Sequence, residues 1–303
     1  MRVIEFSEAH SFLEHAREFL FADEGAHNLI LSSALALSKG QSRSTTRSLK
    51  FLACTEGKKV QGAALRTPQD RWILSPAAPE ILKPLLETIP SSEPRPSAIR
   101  NLMLPSLSSP ATPEAPASLN LHLKGQLNFM SLTKLEAYAA SAGLMRVAAP
   151  KDLKLLITWS QASAKESDIE ESPKEASEIV QKYLEHRQLF VWEDEGRIKA
   201  MAAIGGFTPN STRISQVYTD PKARGRGYAT SLVHRLTHRQ LAEAAVPKRA
   251  ACVLMADAAN PITKHVYEKL GYKTLFTYDE LRPGSASAVE SASGTGSNVT
   301  TTG

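Results

Sequence analysis

The segment Gln216-Val-Tyr-Thr-Asp-Pro-Lys-Ala-Arg-Gly-Arg-Gly-Tyr-Ala-Thr-Ser231 decides how this chain is read. A strand over Arg213 to Tyr218 ends in it, Asp220-Pro221 turns the backbone, and a glycine-rich loop opens directly into a helix over Gly227 to Ala245. The helix follows from Ala229, Leu232, Val233, Leu236 and Leu241, which fall mostly on one face. Free backbone N–H groups at a helix N-terminus, with the positive end of the macrodipole behind them, make an anion site. Gly225 and Gly227 let the backbone approach a diphosphate with no Cβ in the way. Arg224 and Arg226 place positive charge beside it. A dinucleotide fingerprint is excluded because the spacing is not G-x-G-x-x-G, and a Walker loop because no Gly-Lys-Ser/Thr follows. A bare Arg-Gly-Arg-Gly also fits a basic, solvated turn.

Further on stands Met255-Ala-Asp-Ala-Ala-Asn260-Pro261-Ile-Thr-Lys-His-Val-Tyr267-Glu-Lys-Leu270-Gly271-Tyr272. Asn260 before Pro261 is an N-cap followed by proline at the first helical position, and Gly271 is a natural stop after Leu270. Asn260 therefore has a capping role whatever else it does. Tyr267 lies about two turns further along the same face, where its phenol can reach a leaving group.

Working outward, the second half alternates strands and helices. Strands are expected at Leu144 to Val147, in a hairpin of Leu189 to Trp192 with Ile198 to Ile204, at Ala250 to Met255 and at Thr274 to Tyr278. Helices are expected at Lys151 to Ala164, Glu175 to His186 and Pro261 to Leu270. The first forty residues read as two helices. Phe12, Leu13, Ala16, Phe19 and Leu20 carry one, with Ser7 as N-cap, and Leu29, Ile30, Ser33, Ala34 and Leu37 carry the next until Gly40 stops it. Leu49 to Cys54 and Val60 to Leu65 form a hairpin, Trp72 to Leu74 adds a strand, and Pro79 to Leu86 is a short helix. Residues 90–118 are rich in proline and serine and read as loops around Ile99 to Leu104, with Leu107 to Ser118 as the mobile part. Leu119 to Leu135 reads as a strand running into a helix. Beyond Pro283 the chain is Ser, Ala, Gly and Thr, and residues 284–303 are expected to be a disordered tail.

In order and spacing the two informative segments resemble the GNAT superfamily of N-acetyltransferases. Arg224-Gly-Arg-Gly227-Tyr-Ala229 matches its Gln/Arg-x-x-Gly-x-Gly/Ala motif, and Asn260, Tyr267, Gly271 and Tyr272 match its later motif. The resemblance covers about residues 144 to 280. It implies an α/β fold: a GNAT-type mixed, mostly antiparallel sheet flanked by helices in a C-terminal domain, residues 142–283. Residues 1–141 resemble the degenerate leading half of tandem acetyltransferase-like proteins, lack the glycine motif and are expected to bind no second cofactor.

The resemblance further implies that acetyl-CoA is the co-substrate. Arg224, Gly225, Arg226, Gly227, Tyr228, Ala229 and Thr230 would hold its diphosphate. Val217, Tyr218 and Thr219 would align its pantetheine, with Asn260 nearby. Tyr267 would be the general acid in a direct attack by a primary amine. Glu166, Glu193 and Asp194 are candidates for the base, each with an equally plain role as a surface charge. A non-catalytic acetyl-CoA sensor or scaffold of the same fold is the alternative.

Composition narrows the partners. The 303 residues carry 36 Lys+Arg against 31 Asp+Glu, a formal charge of +5 spread along the chain, which attracts an anionic cofactor but lacks the clustered patch of a nucleic-acid binder. No run approaches the ~18 apolar residues of a membrane helix, and no signal peptide opens the chain. Cys54 and Cys252 are too few for a disulfide framework or thiolate metal cage, so the expected compartment is the cytoplasm. His234 and His238 stand at i and i+4, but Arg235 replaces the glutamate a metalloprotease needs, so solvent-face histidines and no metal are expected. The acceptor, a small-molecule or peptide amine, and the oligomeric state are not encoded in any motif.

Overall fold

A computed structural model describes residues 1–40, 49–93, 99–106, 113–169, 171–242 and 249–283. The first half of the chain runs β1 (Arg2–Phe6), α1 (Ala9–Ala22), α2 (Asn28–Ser38), β2 (Lys50–Glu56), β3 (Lys59–Arg66), β4 (Arg71–Leu74), α3 (Pro79–Ser92), β5 (Asn101–Ser106) and β6 (Leu121–Leu132). The second half repeats that order: β7 (Leu144–Val147), α4 (Leu153–Glu166), α5 (Pro173–Glu185), β8 (Leu189–Asp194), β9 (Arg197–Gly205), β10 (Ser211–Thr219), α6 (Tyr228–Ala242), β11 (Ala251–Asp257) and β12 (Lys273–Pro283). It adds α7 (Pro261–Lys269) before the last strand.

Among the described residues twelve strands form one sheet, ordered β1-β2-β3-β4-β5-β12-β6-β11-β10-β9-β8-β7. Only β4–β5 and β10–β11 are parallel. The centre of the sheet is an exchange. The last strand of the second half, β12, lies between β5 and β6, and the last strand of the first half, β6, lies between β12 and β11. Each half thus closes its sheet with a strand of the other.

Alternation along the strands sorts the helices onto two faces. On β2, Phe51 and Ala53 pack with Phe12 and Leu20 of α1, while Leu52 and Cys54 pack with Ile81 and Leu85 of α3. On β9, Met201 and Ala203 meet Leu156 of α4 and Val180 of α5, while Ala200, Ala202 and Ile204 meet Leu232 and Leu236 of α6. In β11, Val253 joins the α1–α2 core and Cys252 and Leu254 join the α6–α7 core. Helices α1, α2, α4 and α5 therefore share one face, and α3, α6 and α7 the other.

Several expectations are corrected. The first strand, Arg2–Phe6, was not foreseen, because its alternation is short and ends in the helical pattern. Glu8, not Ser7, is the N-cap of α1, without a side-chain bond. Leu119 to Leu135 holds a twelve-residue strand and no helix: β6 is paired along both edges, and this tertiary pairing overrides local preference. Helix α3 continues to Ser92 with Pro84 and Pro90 inside it. Strand β5 reaches Ser106 through Pro105, tolerated because pairing with β4 ends at Met103 and a missing N–H there breaks no bond to β4. Residues 107–112 of the proline-rich stretch, the last three residues of the helix expected to reach Ala245, and the tail from 284 lie outside the described residues. Cys54 and Cys252 are buried and free, with burial pushing the Cys252 thiol up to about 12. Among the described residues no helix is long and apolar enough to cross a membrane.

Candidate functional site

The site begins with a fault in β10. Gln216 adopts φ +53°, a left-handed conformation rare for a residue with a side chain, and pairing with β9 skips from Ser215 to Tyr218. On its other edge β10 matches β11 only over Ser211–Arg213 against Ala251–Val253. From Ile214 to Thr219 the edge facing β11 has no strand partner, and the two strands part. Val217 and Thr219 lie half-buried on this stretch. Tyr218 is turned into the α4 core, where its ring meets Trp159 at 5.7 Å.

The loop to α6 is built from its ends. Asp220 accepts the Lys222 N–H at 2.9 Å, closing a 3-10 turn over Pro221–Ala223, and Ala223 anchors it in the α6 core. Gly225 and Gly227 both take φ +77°. At Gly225 a Cβ would meet nothing within 4 Å, but at Gly227 it would stand 2.8 Å from Ser141 Oγ and 2.9 Å from Tyr138 Oη. Gly227 is thus required twice, by its backbone angle and by its neighbours. Among the described residues the backbone N–H groups from Gly225 to Thr230 donate to no carbonyl or side chain, and the first bond of the helix is Ser231 N–H to Gly227 C=O at 2.9 Å. Six consecutive amides at a helix N-terminus make an anion nest.

That nest is braced from the segment joining the two halves of the chain. Ser141 Oγ donates to the Arg226 carbonyl at 2.7 Å, and the Ser141 N–H donates to Ser231 Oγ at 2.9 Å. Tyr138 stacks near His234, with ring centroids 5.7 Å apart. His234 is accordingly half-buried rather than on the solvent face, and desolvation lowers its pKa, whereas His238 is exposed.

Arg224 does not stand over the nest. Its Nη2 donates to both Glu166 oxygens at 2.9 and 2.7 Å, and its guanidinium lies 5.3 Å from the centre of the Tyr218 ring. The Tyr218 hydroxyl donates to the same carboxylate at 2.9 Å, and burial together with Glu166 raises its pKa. Arg226 is exposed beside the loop. The Tyr228 hydroxyl donates to Asp194 at 2.7 Å, Ala229 is half-buried and Thr230 buried. All three carboxylates considered as bases are engaged: Glu166 as above, Asp194 by Tyr228, and Glu193 by Arg146 Nε at 2.6 Å.

Asn260 caps α7, its Oδ1 accepting the Thr263 N–H at 3.3 Å. Tyr267 is 6% exposed, packs edge-on to Tyr272 at 6.0 Å, and burial pushes its phenol up to about 12. Its hydroxyl has no hydrogen-bond partner among the described residues, yet it is not sealed from solvent. The remaining ring is buried in the α6–α7 core.

The structure places the predicted Gly225 and Gly227 at the start of α6, and Tyr267 on α7 with its ring in the α6–α7 core. Sequence reasoning missed the fault at Gln216, the brace from Ser141 and Tyr138, and the use of Glu166 as a tether. No spacing rule joins these residues, since Ser141 and Arg226 are 85 positions apart.

The Acetyltransferase (GNAT) family matches residues 154–272 of this chain. Among solved structures, a protein from Drosophila is similar at 12% identity, covering 92% of this chain and 97% of its own, with a TM-score of 0.61. A GCN5-related N-acetyltransferase from Sphaerobacter thermophilus is similar at 13% identity, 93% and 96% coverage and a TM-score of 0.55. One from Kribbella flavida is similar at 17% identity, 85% and 96% coverage and a TM-score of 0.54. At these identities the likeness concerns the fold, and it extends over both halves. None of the curated protein sequences matches the chain.

Proposed function

Taking as premise that the chain is a member of the GNAT superfamily with an acetyltransferase domain in its second half, we propose that it is an acetyl-CoA-dependent N-acetyltransferase acting on a primary amine in the cytoplasm. The observation that carries the reading is the run of unengaged amides from Gly225 to Thr230 at the start of α6. Acetyl-CoA supplies an activated acetyl thioester whose diphosphate suits that nest in charge and size. The unpaired edge of β10 from Ile214 to Thr219 offers backbone donors alongside, the groups that would align a pantetheine and polarise a thioester carbonyl, a contribution of roughly 3 to 4 kcal/mol.

Tyr267 serves the departing sulfur. At a pKa of about 12 it stays protonated throughout the physiological range. Burial thus keeps the phenol in its protonated, hydrogen-bond-donating form. Tyr267 therefore acts first through a donated hydrogen bond, and the proton shed by the attacking amine completes the exchange. The base for that proton is not one of the tethered carboxylates in its present pairing. Water reached through the open strand edge is the simplest acceptor.

The corresponding loop of the first half is built differently. The loop before α3 reads Ser75-Pro-Ala-Ala-Pro79, so Pro76 and Pro79 lack N–H groups, and Glu80 puts a negative charge in the first turn. We assign this half, residues 1–141, a structural and acceptor-side role.

Thermal unfolding with rising acetyl-CoA tests the reading. Saturable stabilisation of roughly 3 to 4 kcal/mol at 100 to 1,000 times Kd is expected, and it should vanish in Gly227→Glu. An unshifted transition in the unaltered protein would remove the cofactor assignment.

A further inference from the structure

Arg213 sits where β10 and β11 part, as the last residue of β10 in register with β11. Ile214 belongs to the α6 core, so Arg213 and Ser215 point to the opposite face, the one carrying α2, α4 and α5. There the Ser215 hydroxyl lies 3.2 Å from that of Tyr183 on α5. The first residue of α2, Asn28, reaches across from the other half of the chain. Its Nδ2 donates to Gly206 C=O at 2.7 Å and to Ser211 Oγ at 2.9 Å, which fixes the amide so that Oδ1 faces Arg213. Arg213 Nη1 donates to that oxygen at 3.0 Å.

This is the guanidinium's one protein acceptor among the described residues, and no carboxylate pairs with it. Among the described residues its Nε and Nη2 have no hydrogen-bond partner, and the side chain is half-buried rather than sealed. Burial pulls its pKa below the ordinary arginine value, with the phenols of Tyr183 and Tyr278 near enough to offset part of that. The guanidinium is thus half-buried between the two halves of the chain and, among the described residues, paired with no carboxylate. Such a placement is unfavourable unless an anion visits. The second surrounding feature is Gly206, at φ +55°. A Cβ there would stand 3.0 Å from Arg213 Cβ, Cζ and Nη1, so glycine leaves the space that the guanidinium occupies.

We propose that Arg213 is the anchor for a carboxylate on the acceptor, at the place on β10 where Asn28 of α2 and Tyr183 of α5 come together. The substrates are then amines that also carry a carboxylate, approaching the strand opening from the face opposite α6 and α7. The proposal rests on the acetyltransferase reading for its reaction, but the anion site stands on its own geometry. From Arg213 to Val217 is four residues, shortened by the fault at Gln216 to roughly 10 Å, and the guanidinium turns back toward Gly206, away from the fault. The amine and the carboxylate must therefore lie at opposite ends of an extended molecule. ω-Amino acids and short peptides with a free C-terminus fit, while an α-amino acid such as glycine is too short.

Calorimetric titration of the full chain with 6-aminohexanoate, 6-aminohexanamide, triglycine, triglycine amide and glycine tests this. The acids are expected to bind roughly 10- to 100-fold tighter than their amides, with glycine weakest. Arg213→Met should abolish that preference and Arg213→Lys should keep part of it. The acid–amide comparison on the unaltered chain requires no variant to fold. Equal binding of acid and amide, absence of binding by every acid, or an undiminished preference in a folded Arg213→Met would overturn the proposal. If acids bind with the expected preference but acetyl-CoA produces no stabilisation and no acetylated product, the anion site stands and the acetyltransferase reading fails.

Discussion

At the scale of the residue, two glycines and one tyrosine allow the proposed binding and the proposed turnover to be tested separately. Gly225→Ala meets only backbone strain, about 1 kcal/mol for a left-handed alanine, because nothing lies near its Cβ. Gly227→Ala carries the same strain and in addition displaces Ser141 and Tyr138. It should weaken acetyl-CoA binding at least several-fold more than Gly225→Ala, as read by titration of both variants. Tyr267→Phe should lower kcat by about 10²- to 10⁴-fold with acetyl-CoA affinity and melting temperature nearly unchanged, since the lost hydroxyl bonds to none of the described residues. Unaltered turnover would remove Tyr267 from the chemistry. The left-handed glycines and the helix that carries Tyr267 could be read from the sequence because backbone angle and helical spacing are local. Arg224 shows the limit of such reading: its charge was visible, but the carboxylate that takes it up is 58 positions away. Asn260 was read both as a cap and as a cofactor contact, and the bond it makes to Thr263 is the capping one.

Among the elements, the connecting segment between β6 and β7 and the start of α5 carry the testable consequences. Ser141→Ala deletes the bond to the Arg226 carbonyl and frees the loop that presents the amides. Acetyl-CoA affinity should fall by about 3- to 10-fold, a loss of roughly 1 kcal/mol, while kcat at saturation holds. Titration beside steady-state kinetics distinguishes the two. At α5, Ser172 and Glu175 form a reciprocal cap, and Glu175 also receives Arg100 from the first half, Nη1 to Oε1 at 2.5 Å. Arg100 is the main cause that lowers the Glu175 pKa from 4.5 to about 2. A depressed carboxylate contributes stability that is complete above its unfolded pKa and lost as pH falls through the folded value. Urea midpoints should therefore drop between about pH 4.5 and 2, and Glu175→Gln should flatten that part of the profile. Most elements were legible because period 3.6 and period 2 are written along the chain. The errors fell on β1 and β6, and β6 owes its length to neighbours supplied by distant segments, which no window of local sequence contains.

Across the whole molecule the strand exchange makes the halves mutually dependent. With residues 1–141 expressed alone, β5 and β6 would face each other across an empty place, and with residues 142–283 alone β11 and β12 would do the same. Each fragment is expected to aggregate by itself and the two to co-purify as a soluble complex when produced together. Gel filtration reads this directly, and a soluble, folded second half alone would show that the exchange is dispensable. The same arrangement has a consequence for how the protein is made. Synthesis is vectorial, and β6 ends at Leu132 whereas β12 begins at Lys273. At 5 to 20 residues per second, the gap between their emergence is roughly 7 to 28 seconds. Throughout that time the nascent chain holds bare edges of β5 and β6, which are templates for wrong partners. Among the described strands β12 emerges last, so chaperone access during that interval is expected to raise the yield of folded protein, which co-expression with and without chaperones would measure.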